Sequence, residues 1–132
     1  MSFIVQDVFN VEQVDPEGKK FDKVARLICK SLDEDMDLVL DINEDLYKVR
    51  KGEHLKVALA KTIQDGDTNL MDDFDYVMFG RVFKFVPEKD VEKMSVLISF
   101  GGLIMKLSAS PKPLKKIEPD SSIYLLMKRQ EE

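Results

Sequence analysis

The sequence predicts an all-β fold with little helix, a small sandwich or barrel, and three observations carry that expectation. Apolar and polar residues alternate with a period of two along much of the chain, the spacing of half-buried strands. Turn-forming residues interrupt the apolar runs at intervals near the ~8 to 12 residues typical of small β folds. Helical spacing is scarce. At 132 residues the chain fits one domain, expected over 1–132.

The strands can be taken in order. Phe21 to Cys29 reads as the first of them, after the turn Asp15-Pro16-Glu17-Gly18. Met36 to Ile42 alternates most clearly: Met36, Leu38, Leu40 and Ile42 are expected inside, Asp37 and Asp41 in solvent. Leu55 to Leu59 repeats the pattern after Lys51-Gly52-Glu53. Tyr76 to Phe85 is apolar on both faces, which predicts cover on both sides, from its own barrel and from something else. Val96 to Phe100, Leu103 to Leu107 and Ile123 to Met127 complete a set of seven or eight strands. Gly101-Gly102 interrupts an apolar pattern and predicts a bulge or tight bend at a barrel corner. Pro111-Lys112-Pro113 reads as a turn, and Gln64 to Asp75 as a mobile acidic loop. The modest helix candidates are Asn43 to Val49 and Pro87 to Met94, the second opening with proline and acids early.

Composition bounds the function. Apolar residues make up 44% and charged residues 34%, as in soluble globular proteins. No apolar run approaches the ~18 to 20 residues that span a bilayer, and the N-terminus meets Asp7 before a signal-peptide core can form. The chain is expected to work inside the cell without a membrane partner, and its one cysteine, Cys29, agrees with a reducing compartment. Residues 1–79 carry 18 acids and 10 bases, net −8; residues 80–132 carry 7 acids and 10 bases, net +3. An acidic balance disfavours autonomous nucleic-acid binding, whose affinity comes mainly from neutralised phosphates.

Candidate chemistry is sparse. His54 lies beside Gly52 and Glu53, with no serine or cysteine nearby to activate, so a solvated turn residue is expected. Cys29 lies between Ile28 and Lys30, where nothing lowers a thiol pKa, and one Cys with one His cannot close a four-ligand zinc site. Calcium loops need acids at positions 1, 3 and 5, Gly at 6 and Glu at 12. Asp65, Asp67 and Asn69 fit the early positions, but Leu70 and Tyr76 occupy the last two; Asp33, Asp35, Asp37 and Glu44 fit, but Leu38 takes the glycine place. No phosphate-binding glycine loop occurs. No cofactor, small-molecule substrate or catalytic residue is expected, and the surplus of Met and aromatic side chains in the second half points to a surface for partners.

Five blocks in register resemble one known family: Asp7-Val8-Phe9 with Val14 to Val24; Met36 to Asn43; Phe74 to Gly80; Ser99 to Leu107; and Asp120 to Lys128. The family is the small common subunit of eukaryotic nuclear RNA polymerases I, II and III, eighth in the usual size ranking. The resemblance implies an antiparallel β-barrel related to the oligonucleotide-binding (OB) fold, a nuclear location, and a non-catalytic place against the largest polymerase subunit. A second small common subunit is a further candidate partner, and contact with nucleic acid is expected to be indirect at most. The family's Gly-Gly-Leu-Leu-Met block, associated with assembly, stands here as Gly101-Gly102-Leu103-Ile104-Met105, which with Phe100 forms the expected partner interface. Gln64 to Asp73 is shorter than the matching loop of many relatives. The alternative from a different class is a single-stranded nucleic-acid binder. It would stack bases on Tyr76, Phe79, Phe83 or Phe100 and hold phosphates with Arg81, Lys84 and Lys106.

Overall fold

The computed structural model describes residues 3–19, 21–33, 35–61, 73–89 and 92–130. Its strands are β1 (Val5–Val14), β2 (Val24–Ser31), β3 (Asp37–Asn43), β4 (His54–Ala60), β5 (Tyr76–Pro87), β6 (Met94–Phe100), β7 (Leu103–Ala109) and β8 (Ser122–Arg129), with a one-turn helix α1 (Pro111–Leu114) before β8. Every neighbouring pair is antiparallel, and the order β1-β2-β3-β7-β6-β5-β8-β4 closes where β4 meets β1. The all-β prediction holds, and the closed barrel fits the OB-like architecture. Closure leaves no unpaired sheet edge.

Alternation decides which side chains fill the barrel. In β2, Ala25, Leu27, Cys29 and Ser31 are buried between half-exposed neighbours, and in β3 Leu38, Leu40 and Ile42 fill the core, with Asp41 between the last two buried as well. Leu55, Ile98, Met105 and Leu125 join them at the axis. One gap among these side chains, between Phe9, Leu38 and Met105, is about 10 Å³, at the lower limit of the ~10 to 15 Å³ that one water needs. The inward side chains of the described strands form one contiguous buried core.

Several expectations need correction. Phe21 stands before β2 and is 67% exposed, because the chain is still turning there. Asn43 to Val49 is no helix: Asn43 ends β3, and its side-chain oxygen accepts the amides of Asp45 (3.0 Å) and Leu46 (3.4 Å), closing a local turn. Pro87 belongs to β5 and Met94 to β6, so the second helix candidate is a hairpin connection; residues 90–91 lie outside the described residues. Among the described residues the helix is instead α1, at the expected Pro-Lys-Pro turn. It sets Leu114 and then Ile117 into the core.

Gly101-Gly102 is neither a bulge nor a barrel corner. It forms a two-residue hairpin turn joining β6 to β7, with Phe100 opposite Leu103 and φ of +63° and +103°. Type I′ turns require positive φ at both central residues, which glycine supplies without steric cost. Bulges occur elsewhere, between Val11 and Gln13 in β1 and at Phe83 in β5. β1 itself was not named by the alternation. The acidic loop expected at 64–75 lies outside the described residues as far as residue 72.

Asp41 faces outward but is only 6% exposed. Arg26 holds it with two hydrogen bonds (2.8 and 3.1 Å), and it accepts the Ile104 amide at 3.2 Å. It lines a cavity of about 220 Å³ with Asp15 to Gly18 of the β1–β2 connection, Phe21, Ile28 and Val39. The expectation that Asp41 faces solvent is therefore corrected: its partners Arg26 and Ile104 come from neighbouring strands, which strand periodicity does not show.

Candidate docking surface

The outer wall of β5 carries the most exposed aromatic surface. Strand register alternates Tyr76, Gly80 and Val82 inward with Val77, Phe79 and Arg81 outward. Phe79 is 57% exposed and leans on Tyr124 of β8, its cross-strand neighbour, with ring centres 4.8 Å apart. Phe83, 44% exposed, is the extra residue of the β5 bulge, which turns it out of the ladder. Part of the second cover expected for this strand comes from the chain itself. Phe74 packs over Ala58, Ala60 and Leu126, with Phe3 edge-on to it at 6.0 Å.

Phe79, Arg81, Phe83, Ser99, Gly101 and Ser122 line one open depression of about 470 Å³. Its floor is Gly80, where a Cβ would lie 2.4 Å from the Ser99 carbonyl oxygen and 2.5 Å from the Phe100 ring. The fold thus brings the exposed phenylalanines beside the Gly-Gly turn, two features about 20 positions apart in sequence. Tyr124 belongs to the aromatic surplus of the second half, whereas no sequence signal marks Ser99 or Ser122 as part of a surface. Only the pairing of β5 with β6 and β8 places them there.

Of the interface residues predicted from sequence, Gly101 and Gly102 are exposed and Leu103 and Ile104 half-buried, whereas Phe100 and Met105 point into the core. The candidate base-stacking set divides likewise. Tyr76 is buried, stacked on Tyr47 at 5.4 Å, and its hydroxyl oxygen accepts the Asn43 amide at 3.1 Å. Tyr76 and Phe100 therefore have no face to offer a base, while Phe79 and Phe83 do. Arg81 and Lys84 are exposed, but Lys106 is paired to Glu88 at 3.3 Å.

The polar groups near this wall serve packing. Ser95 and Ser108 lie 2.6 Å apart and both donate to Glu88, holding its carboxyl below the ordinary carboxylate range, with the Ser95 hydroxyl the largest cause. The network ties the β5–β6 connection to β7. Burial pushes the Cys29 thiol up to about 12, which keeps it protonated and unreactive at neutral pH. His54 is the first residue of β4, rather than part of the preceding turn, and pairs in the ladder with Asn10. Among the described residues no three His, Cys, Asp or Glu side chains converge to hold a metal ion.

Comparison with known proteins places these features in a family. Residues 6–129 match the family model described as RNA polymerase Rpb8. A Dictyostelium discoideum protein, DNA-directed RNA polymerases I, II, and III subunit rpabc3, is 42% identical across 97% of this chain and 98% of its own. The Arabidopsis thaliana DNA-directed RNA polymerases II, IV and V subunit 8B is 36% identical over 94% of each chain. The Saccharomyces cerevisiae subunit RPABC3 of polymerases I, II and III is 33% identical over 96% of this chain and 97% of its own.

Proposed function

Because the chain belongs to the RNA polymerase Rpb8 family, we propose that it serves DNA-templated transcription as a nuclear, non-catalytic subunit common to RNA polymerases I, II and III. It acts as one barrel domain that docks on the largest subunit. Family membership carries this reading, since relatives matching almost end to end are named as polymerase subunits. The exposed surface suits the role. Phe79 and Phe83 stand out of the wall beside Gly101-Gly102. Two large exposed rings in an open depression are the kind of anchor that interfaces bury at their centres.

The docking face is the outer wall of β5 with the β6–β7 turn, including Gly101, Gly102, Leu103 and Ile104. Phe100 and Met105 contribute from inside, by holding that turn in place. Purification of the tagged chain from its own nuclei tests the assignment. Co-recovery of the large polymerase subunits is expected, and their absence from a stable, folded bait would end it.

A further inference from the structure

We propose that the end of the barrel formed by β4, β8 and residues 48–53 binds an acidic polypeptide segment, rich in Asp and Glu, from a neighbouring subunit. The chain is acidic overall, at −5, yet Lys48, Arg50, Lys51, Lys56, Lys128 and Arg129 gather here. Lys56 and Lys128 are direct cross-strand partners. Both point outward, since Leu55, Val57 and Met127 on either side of them fill the core. Like charges placed opposite one another weaken a sheet, so an unrelieved lysine pair is a poor choice for a wall with no anionic ligand.

Two of the six bases are committed to the fold. Lys48 pairs with Glu44 at 3.6 Å. Arg129 pairs with Glu53 at 2.6 Å, lies 4.6 Å over the Tyr47 ring and donates to the Lys48 carbonyl oxygen. Glu53 also accepts the Arg50 amide at 2.6 Å, which shapes the turn at Gly52. Asp75 is also at this end, and its Oδ2 accepts the Tyr47 hydroxyl (3.1 Å) and the Arg129 amide (3.4 Å). Among the described residues no ion pair engages Arg50, Lys51, Lys56 or Lys128. Arg50 and Lys51 line an open cleft of about 530 Å³ with Gly52, Glu53 and Arg129.

The chemistry favours carboxylates over a nucleic-acid strand. The ring at this end, Tyr47, is buried between Arg129 and Tyr76, which leaves no platform for the base stacking on which single-strand binding depends. Four uncommitted cations in a chain of net charge −5 also make a weak phosphate track. For a short run of Asp and Glu they are matched in number and sign. The neighbouring-subunit source rests on the function proposed above, but the site uses the Lys128–Arg129 end of β8, not the Ser122–Tyr124 end beside the docking face, and the test needs no polymerase.

A labelled glutamate-rich peptide, titrated with the full chain and followed by fluorescence anisotropy, provides that test at about 50 and about 200 mM salt. Binding that weakens with salt is expected, and the double variant Lys56→Glu/Lys128→Glu should lose it about tenfold or more. Lys128→Glu alone should raise the melting temperature, because opposite charges then face each other across β4 and β8; this also reports that the variant folds. Phe79→Ser should leave peptide binding intact. Equal binding by wild type and the double variant would overturn the proposal, as would tighter binding of a single-stranded oligonucleotide of matched charge.

Discussion

Gly80 shows how one residue can be fixed by its neighbours. A methyl group there would lie inside the contact distance of both the Ser99 backbone and the Phe100 ring, and neither is the free end of a flexible chain. Gly80→Ala should therefore lower stability by about 1 to 3 kcal/mol, the usual range for overpacking, measurable by urea denaturation. Cys29 and Tyr47 give a second, pH-dependent effect. Burial pushes each up to about 12, from ordinary values of 9.0 and 10.0. The unfolded chain loses these protons first, so it binds fewer than the folded chain between roughly pH 9 and 12, and stability should fall as pH rises through that window. Denaturation midpoints recorded across it should decline, and replacing Cys29 by Ala should make the decline shallower. Asp41 carries the opposite lesson for reading a sequence. Its outward register was legible, but its burial against Arg26 and the Ile104 amide was not.

At the scale of the element, α1 is too short to display a period. Four residues cannot establish a repeat of 3.6, so Pro111-Lys112-Pro113 looked like a turn. Its placement nevertheless puts Leu114 into the core. Leu114→Ala should cost about 2 to 5 kcal/mol, a large effect for so small a helix, and one that thermal denaturation would detect. The β6–β7 hairpin was legible as a break in pattern but not as a reversal. Alternation on both sides of Gly101-Gly102 is equally consistent with a bent strand, and only the pairing of Phe100 with Leu103 distinguishes them. The turn strains any side chain at Gly102, where φ is +103°, although a Cβ would meet no atom within 4 Å. Gly102→Ala should accordingly destabilise by about 1 to 2 kcal/mol through backbone strain.

For the whole molecule, the outer wall of β5 is where stability and assembly should separate. Phe79 and Phe83 are exposed, so Phe79→Ser/Phe83→Ser should leave the melting temperature within a few degrees of wild type. The same double variant should reduce co-purification of the large polymerase subunits several-fold. Unchanged recovery would move the docking face elsewhere on the barrel. With Tyr76 and Phe100 buried and Lys106 paired, a short single-stranded oligonucleotide should show no salt-dependent binding near about 50 mM salt. Fluorescence titration would register any such binding.

The sequence by itself determined the all-β class, most of the strands and the inward-facing set, because a period of two is a local property that survives without any knowledge of neighbours. It also placed the chain in its family, through blocks of residues in order. Only the tertiary structure decided which strands pair, that the barrel closes and is filled, and that Phe79, Phe83, Tyr124 and the Gly-Gly turn share one wall. It alone opposed Lys56 to Lys128. Register between distant strands is set by the sum of core packing and turn geometry over the whole sheet, so no single segment contains it.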